Sequence, residues 1–278
     1  MSREVLTTAA TGMPDLEAAL RGLAAAPTLL VASDFDGALA EFTTDPSDSG
    51  PAPGAMTALR ALSRLPGTTV AIVSGRDVRT LGQLVGIRST DRIALLGSHG
   101  AESTVSGVVN GSIDADQRSL LDELTIQVAE LIQDHPGARL ERKRAAVAVH
   151  TRGLSADSAK AALEAADQLG QDQPQVRVMP GKSVVELSVS HADKGSALRA
   201  LADVVGAAQT FYSGDDVTDE DAFEVLAPDG DVSVKVGSGP TAATHRVPDV
   251  TALVATLQRL LELRRDVAHQ RGGVSAVF

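Results

Sequence analysis

The apolar positions of the chain follow two different spacings. Short apolar runs at 29–32, 69–73 and 93–96 have the length of strands, the first of the kind buried on both faces, and 210–213 and 232–236 suggest two further short strands. Elsewhere apolar residues recur every three or four positions: Leu16, Leu20 and Leu23; Met56, Leu59, Leu62 and Leu65; Leu198 and Leu201; Leu253, Leu257, Leu260 and Leu261. That spacing predicts a helix over 14–25, with Pro14 in its first turn, and further helices after Met56, from Asp77, from Asp193 and at the C-terminal end. Strands alternating with helices predict an α/β fold, a Rossmann-like parallel sheet with helices on both faces.

From about Val108 the pattern changes. An amphipathic helix is predicted from Ile113 to Gln133, an alternating strand from Ala145 to His150, a helix from Ala156 to Leu169, and two more strands around Val176 and Val178 and from Val184 to Val189. We therefore expect a core of residues 1–107 and 188–278, interrupted by a smaller α/β cap at 108–187.

Polar residues follow the apolar runs in a consistent way. The first run ends in Asp34, Phe35, Asp36 and Gly37, which places two carboxylates at the end of a buried strand. In a parallel sheet that end is where ligands bind. Two carboxylates so close repel each other unless a cation, a proton or hydrogen-bond donors compensate. As a plain alternative, Asp-Gly is also a common turn signal. The second run ends in Ser74, Gly75 and Arg76, where the serine suits either a helix N-cap or a phosphate contact. The third leads to Gly97, Ser98, His99 and Gly100, which puts His99 at a cleft rather than in a core. Lys194 opens a helix, against the helix dipole, as a residue facing an anion would. After Ser213 come five carboxylates between 215 and 221, either an acidic first turn with Thr218 and Asp221 as a capping pair, or a metal site.

Composition narrows the chemistry. Among 278 residues there is no Cys, so a metal would be held by oxygen or imidazole, and an oxygen-rich site favours magnesium. A net charge of -11 and 2% aromatic residues argue against nucleic acid as a partner. Charged residues at Arg3, Glu4, Asp15 and Glu17 and the lack of a long apolar run lead us to expect a soluble, cytoplasmic protein without a membrane partner.

The motifs DFDG, VSGRD, GSHGAE, ERK, GKSVVEL and GDDVTDEDAF, in this order, resemble those of the haloacid-dehalogenase-like phosphatases and, more closely, the trehalose-6-phosphate phosphatase family. The resemblance covers nearly all of the chain after about Thr28. It implies hydrolysis of trehalose 6-phosphate with Asp34 as nucleophile and Asp36 as general acid and base. It implies magnesium held by Asp34, the backbone of Asp36, and Asp215, with Asp216 and Asp219 in support, and phosphate bound by Ser74, Gly75 and Lys194. Sugar recognition is implied for Glu141, Lys143 and Glu186, joined by Lys182, His99 and His150. A monomer acting on a small molecule is the expectation. Another sugar phosphate as substrate, or a non-catalytic sugar-phosphate sensor, are the alternatives. The sequence departs from the family at Ala38, where Thr is usual, at Glu41 and Phe42, which replace Pro and an aliphatic residue, and at Arg144, where Gly is common.

Overall fold

The computed structural model describes residues 15–43, 45, 48–108, 113–181, 183–190 and 192–274, with side chains up to 270. The chain runs through α1 (Leu16–Ala25), β1 (Leu29–Asp34), α2 (Ala55–Leu62), β2 (Thr68–Val73), α3 (Val78–Leu84), β3 (Ile93–Gly97), β4 (Glu102–Ser103), α4 (Ala115–Leu131) and β5 (Arg139–Arg142). It continues with β6 (Ala146–His150), α5 (Ala156–Gln171), β7 (Arg177–Gly181), β8 (Val184–Ser188), α6 (Lys194–Val205), β9 (Gln209–Gly214), α7 (Glu220–Glu224), β10 (Val232–Val236), β11 (His245–Val247) and α8 (Val250–Val274).

Seven strands form one sheet in the order β11-β10-β9-β1-β2-β3-β4, and four form another in the order β5-β6-β8-β7. In the larger sheet β1, β9, β10 and β11 pair in parallel and β4 joins antiparallel to β3. The smaller sheet is antiparallel throughout. The fold is α/β and Rossmann-like, as the spacing predicts.

The chain forms two compact units, one of Met1–Ala71, Ser89–Ile93 and Val205–Phe278, the other of Ile72–Arg88 and Ala94–Val204. In the first, every residue of β1 is buried. This matches an apolar run without polar alternation. Helices α1 and α2 both pack against α8. Asp15 caps α1 by accepting from the Glu17 amide, while Pro14 lies outside the described residues. A buried Arg264 on α8 donates to the carbonyls of Ala24, Ala26, Pro66 and Gly67 and to Thr68 Oγ1. That guanidinium ties the entries to β1 and β2 onto α8, using the several donors of its planar fork.

In the second unit α4 and α5 pack against one face of the four-stranded sheet. Leu121, Leu124, Val128 and Ala166 meet Val147, Val149, Val185 and Leu187 there. Asp114 and Gln117 cap α4 reciprocally, and Ser155 caps α5. The periodicity does not predict β5, whose Arg-Leu-Glu-Arg run is largely exposed, or the three-residue β11. Helix α2 ends at Leu62, short of Leu65. Among the described residues no helix is long and apolar enough to cross a membrane.

Candidate active site

Asp34 is the last residue of β1, and Asp215 follows the end of the neighbouring parallel strand β9. Ser33 is in register with Ser213, and the two buried hydroxyls are linked by a 2.8 Å hydrogen bond. The pairing therefore sets Asp34 beside Gly214 and one step from Asp215. One carboxylate oxygen from each of Asp34, Asp215 and Asp219 lies within 4.8 Å of the others. Such a set of oxygen donors fits a hard divalent cation, which would remove the mutual repulsion of the three charges.

Asp219 is already oriented by other donors. Its Oδ1 accepts from the Tyr212 hydroxyl at 2.7 Å, and its Oδ2 accepts from the backbone amides of Asp215 and Asp216, each at 3.0 Å. Burial and the nearby Asp219 and Asp34 charges push the Tyr212 hydroxyl well above its ordinary pKa, so it stays a donor. The capping box here joins Asp216 and Asp219 rather than Thr218 and Asp221, because the turn over Val217–Asp219 begins two residues earlier than the capping pattern suggested. Asp216 itself is exposed.

Two glycines make this closeness possible. At Gly37, where φ is +83°, a Cβ would lie 2.1 Å from Asp215 Oδ2, and at Gly214 it would lie 2.1 Å from Asp219 Cγ. The loop that follows β1 is tight: Gly37 N–H donates to Ala40 O, and the amides of Leu39 and Ala40 both donate to Phe35 O. Asp36 lies in this loop and accepts a 3.2 Å hydrogen bond from Ser49 Oγ.

The second unit holds the other polar strand ends. Ser74 is buried just past β2 and its Oγ accepts from the Arg76 amide at 3.1 Å. It does not cap α3. Asp77 does, accepting from the Thr80 amide and hydroxyl. His99 has a left-handed backbone, φ 52° and ψ 31°, within the turn after β3. Its ring lies against Gly75, where a Cβ would fall 2.5 Å from Nε2, and its Nδ1 is buried without a hydrogen-bond partner. Burial, with the charges of Lys194, Lys143 and Arg177, lowers the His99 pKa from 6.5 to about 3. The imidazole is therefore neutral at working pH. Lys194 opens α6 and is 3% exposed. The turn carrying His99 packs on that helix start, since a Cβ at Gly100 would fall 2.6 Å from Asp193 O.

The smaller sheet carries the remaining candidates. Lys143 lies in the turn after β5, ion-pairs with Glu186 of β8, and donates to Gly75 O at 3.4 Å. Glu141 on β5 and His150 on β6 are hydrogen-bonded at 2.7 Å. That bond, against some desolvation and with help from Lys143, holds the Glu141 carboxyl below its usual range. Lys182 lies outside the described residues.

A trehalose-phosphatase family model matches residues 32–252. The chain belongs to the trehalose-phosphatase family. It is 32% identical over 241 residues to a trehalose-6-phosphate phosphatase of Escherichia coli, covering 84% of this chain and 88% of that protein. Against the trehalose-phosphate phosphatase of Mycobacterium tuberculosis it is 35% identical over 232 residues, 78% of this chain. That relative is longer, and the match spans 58% of it. The trehalose-6-phosphate phosphatase C-terminal domain of Candida albicans has a similar structure, with TM-score 0.75, 22% identity, and coverage of 92% of this chain and 99% of that one. The same fold occurs in a haloacid dehalogenase-like hydrolase from Bacteroides thetaiotaomicron, with TM-score 0.60, 13% identity, and coverage of 84% and 99%.

Set against this family, Ala38 is fully buried, and the loop that lacks the usual hydroxyl is held by the backbone bonds of Phe35, Gly37, Leu39 and Ala40 and by Ser49. Phe42 is 62% exposed, and Arg144 is exposed as well. Sequence reasoning missed two groups, one beside Asp215 and one beside the loops of Ser74 and His99. Lys235, on β10, donates to Asp215 O at 2.6 Å and pairs with Glu220 at 3.3 Å. Glu102 accepts from Ser98 Oγ and from the Val78 amide, bracing the two loops that hold Ser74 and His99. A lysine alternating with valines in the run VSVKV was the available signal for Lys235, since a charge inside a buried strand needs a partner.

Proposed function

We propose that this protein is a magnesium-dependent phosphatase that hydrolyses trehalose 6-phosphate to trehalose and phosphate. Membership of the family supports the substrate. The observation that carries the chemistry is the group of three carboxylates at the ends of β1 and β9. In this reading Asp34, Asp215 and the Asp36 carbonyl hold the ion, and Asp219, with its oxygens engaged by three donors, fixes the loop that presents Asp215. The bound ion supplies charge neutralisation for an anionic nucleophile and an anionic substrate.

Asp34 attacks phosphorus, forming an aspartyl-phosphate as the bond to the sugar oxygen breaks. Asp36 gives its proton to that oxygen, then takes one from the water that attacks the aspartyl-phosphate, so phosphate leaves and both carboxyls return to their starting states. Ser74, the Gly75 backbone and Lys194 bind the phosphoryl oxygens. Residues 108–187 serve sugar recognition as an inserted cap, and residues 1–107 and 188–278 form the core that carries the phosphorus chemistry. In that cap Glu141, Lys143 and Glu186 bind hydroxyls, and His150 and Lys182, with His99 from the core, assist. The working form is a soluble cytoplasmic monomer.

The test is phosphate release from a panel of sugar phosphates with and without magnesium, using wild type and Asp34→Asn. Trehalose 6-phosphate should be preferred, chelation should stop turnover, and the folded Asp34→Asn protein should be inactive. Preference for a different sugar phosphate would replace the trehalose reading. Turnover by Asp34→Asn would remove the nucleophile, and binding without any turnover would make the protein a sensor.

A further inference from the structure

The two faces of the sheet β5-β6-β8-β7 differ in character. Leu140, Val147, Val149, Val178, Val185 and Leu187 belong to the core shared with α4 and α5. The strand register fixes what lies on the opposite face. Glu141, Ala148, Glu186 and Met179 form one cross-strand row. The next row holds Ala146, Ser188 and Arg177, and the Lys143 amide joins it by donating to Ala146 O. Along these rows the central strands contribute Ala146, Ala148 and Ser188, with Glu186 the single long side chain among them. Longer charged residues stand on the outer strands. The face is thus a trough with a low floor, and Lys143 already reaches across β6 to Glu186. With strands about 4.8 Å apart, its two outer backbones lie roughly 14 Å from each other.

Arg177 stands on the bank opposite Glu141 and Lys143, half-buried. Its charge acts on His99 together with those of Lys143 and Lys194. That imidazole has a buried Nδ1 without a hydrogen-bond partner, and the strand register alone sets Arg177 on the same face of the sheet as Glu141 and Glu186.

We infer that Arg177 is a specificity-determining residue, one that binds hydroxyls of the second sugar ring from the far bank of this trough. The inference rests on the disaccharide-phosphatase reading above. A neutral polyol needs both donors and acceptors. Glu141 and Glu186 supply acceptors, while the planar fork of Arg177 supplies paired donors suited to vicinal hydroxyl oxygens. A monosaccharide phosphate seated beside Lys143 does not span the trough, so Arg177 separates disaccharide from monosaccharide substrates.

The experiment compares kcat/KM for trehalose 6-phosphate, glucose 6-phosphate and phenyl phosphate in wild type, Arg177→Gln and Arg177→Lys. In Arg177→Gln the preference for trehalose 6-phosphate over glucose 6-phosphate should fall about tenfold or more, the scale of a lost charged hydrogen bond. Arg177→Lys should recover only part of it, because a single ammonium lacks the paired fork. Equal loss on all three substrates, full rescue by Lys, or an unchanged preference would each overturn the inference. If wild type takes a different disaccharide phosphate, the trehalose reading falls, and the same ratio measured with that substrate decides Arg177.

Discussion

His99 combines three properties that single-residue reasoning treats separately: a left-handed backbone, a ring seated on a glycine, and a buried unbonded Nδ1. Its pKa near 3 has a consequence for stability. The unfolded chain binds a proton at this residue below about pH 6.5, whereas the folded protein does not until about pH 3. Between those values the unfolded state holds more protons, so acidification destabilises the fold, by at most about 1.4 kcal/mol per pH unit for one site. Stability from this group is complete above pH 6.5 and is lost as pH falls toward 3. His99→Asn, which tolerates the left-handed backbone, should flatten the pH dependence of the denaturant midpoint between pH 6.5 and 4. A variant curve parallel to wild type would show that His99 titrates normally.

At the scale of elements, the β2 and β3 ends are assembled by close approach of backbone and ring rather than by a helix cap. Gly75→Ala would place a methyl 2.5 Å from His99 Nε2, in a loop also held by Lys143 and by Glu102. We expect a cost of about 1 to 3 kcal/mol in stability, with a fall in kcat/KM. In a His99→Ala background, where the ring is gone, the same substitution should cost much less. Additive losses in the double mutant would mean that Gly75 serves something other than this contact. The strands that carry these loops were legible in the sequence because buried parallel strands are unbroken apolar runs. Strand β5 was not legible, since an edge strand with most residues in water needs no apolar pattern. The positions of Asp34, Ser74, His99, Lys194 and Asp215 at strand ends and helix starts could be read from order alone. The seating of His99 on Gly75, the hold of Tyr212 on Asp219, and Lys235 beneath Asp215 could not, because they depend on contacts between residues far apart in the sequence or on the exact path of a turn.

For the molecule as a whole, the formal charge of -11 includes three carboxylates confined within 4.8 Å, so part of its electrostatic repulsion is concentrated at one place. A divalent ion bound there stabilises the folded chain by mass action, about 2.7 kcal/mol at a hundredfold excess over Kd, which is roughly 5 to 10 °C in Tm for a chain of this size. General screening of the net charge also raises Tm with salt, so magnesium must be compared with sodium at equal ionic strength. Asp215→Asn separates the two effects. Removing one of the three charges relieves repulsion, so without metal the variant should melt no lower than wild type, provided the amide keeps the loop held by Asp219 and Lys235. With magnesium it should lack the specific rise while keeping the general salt response. A magnesium-specific rise of equal size in Asp215→Asn would place the ion elsewhere, and no rise in wild type beyond the sodium control would mean that the three carboxylates do not form a metal site.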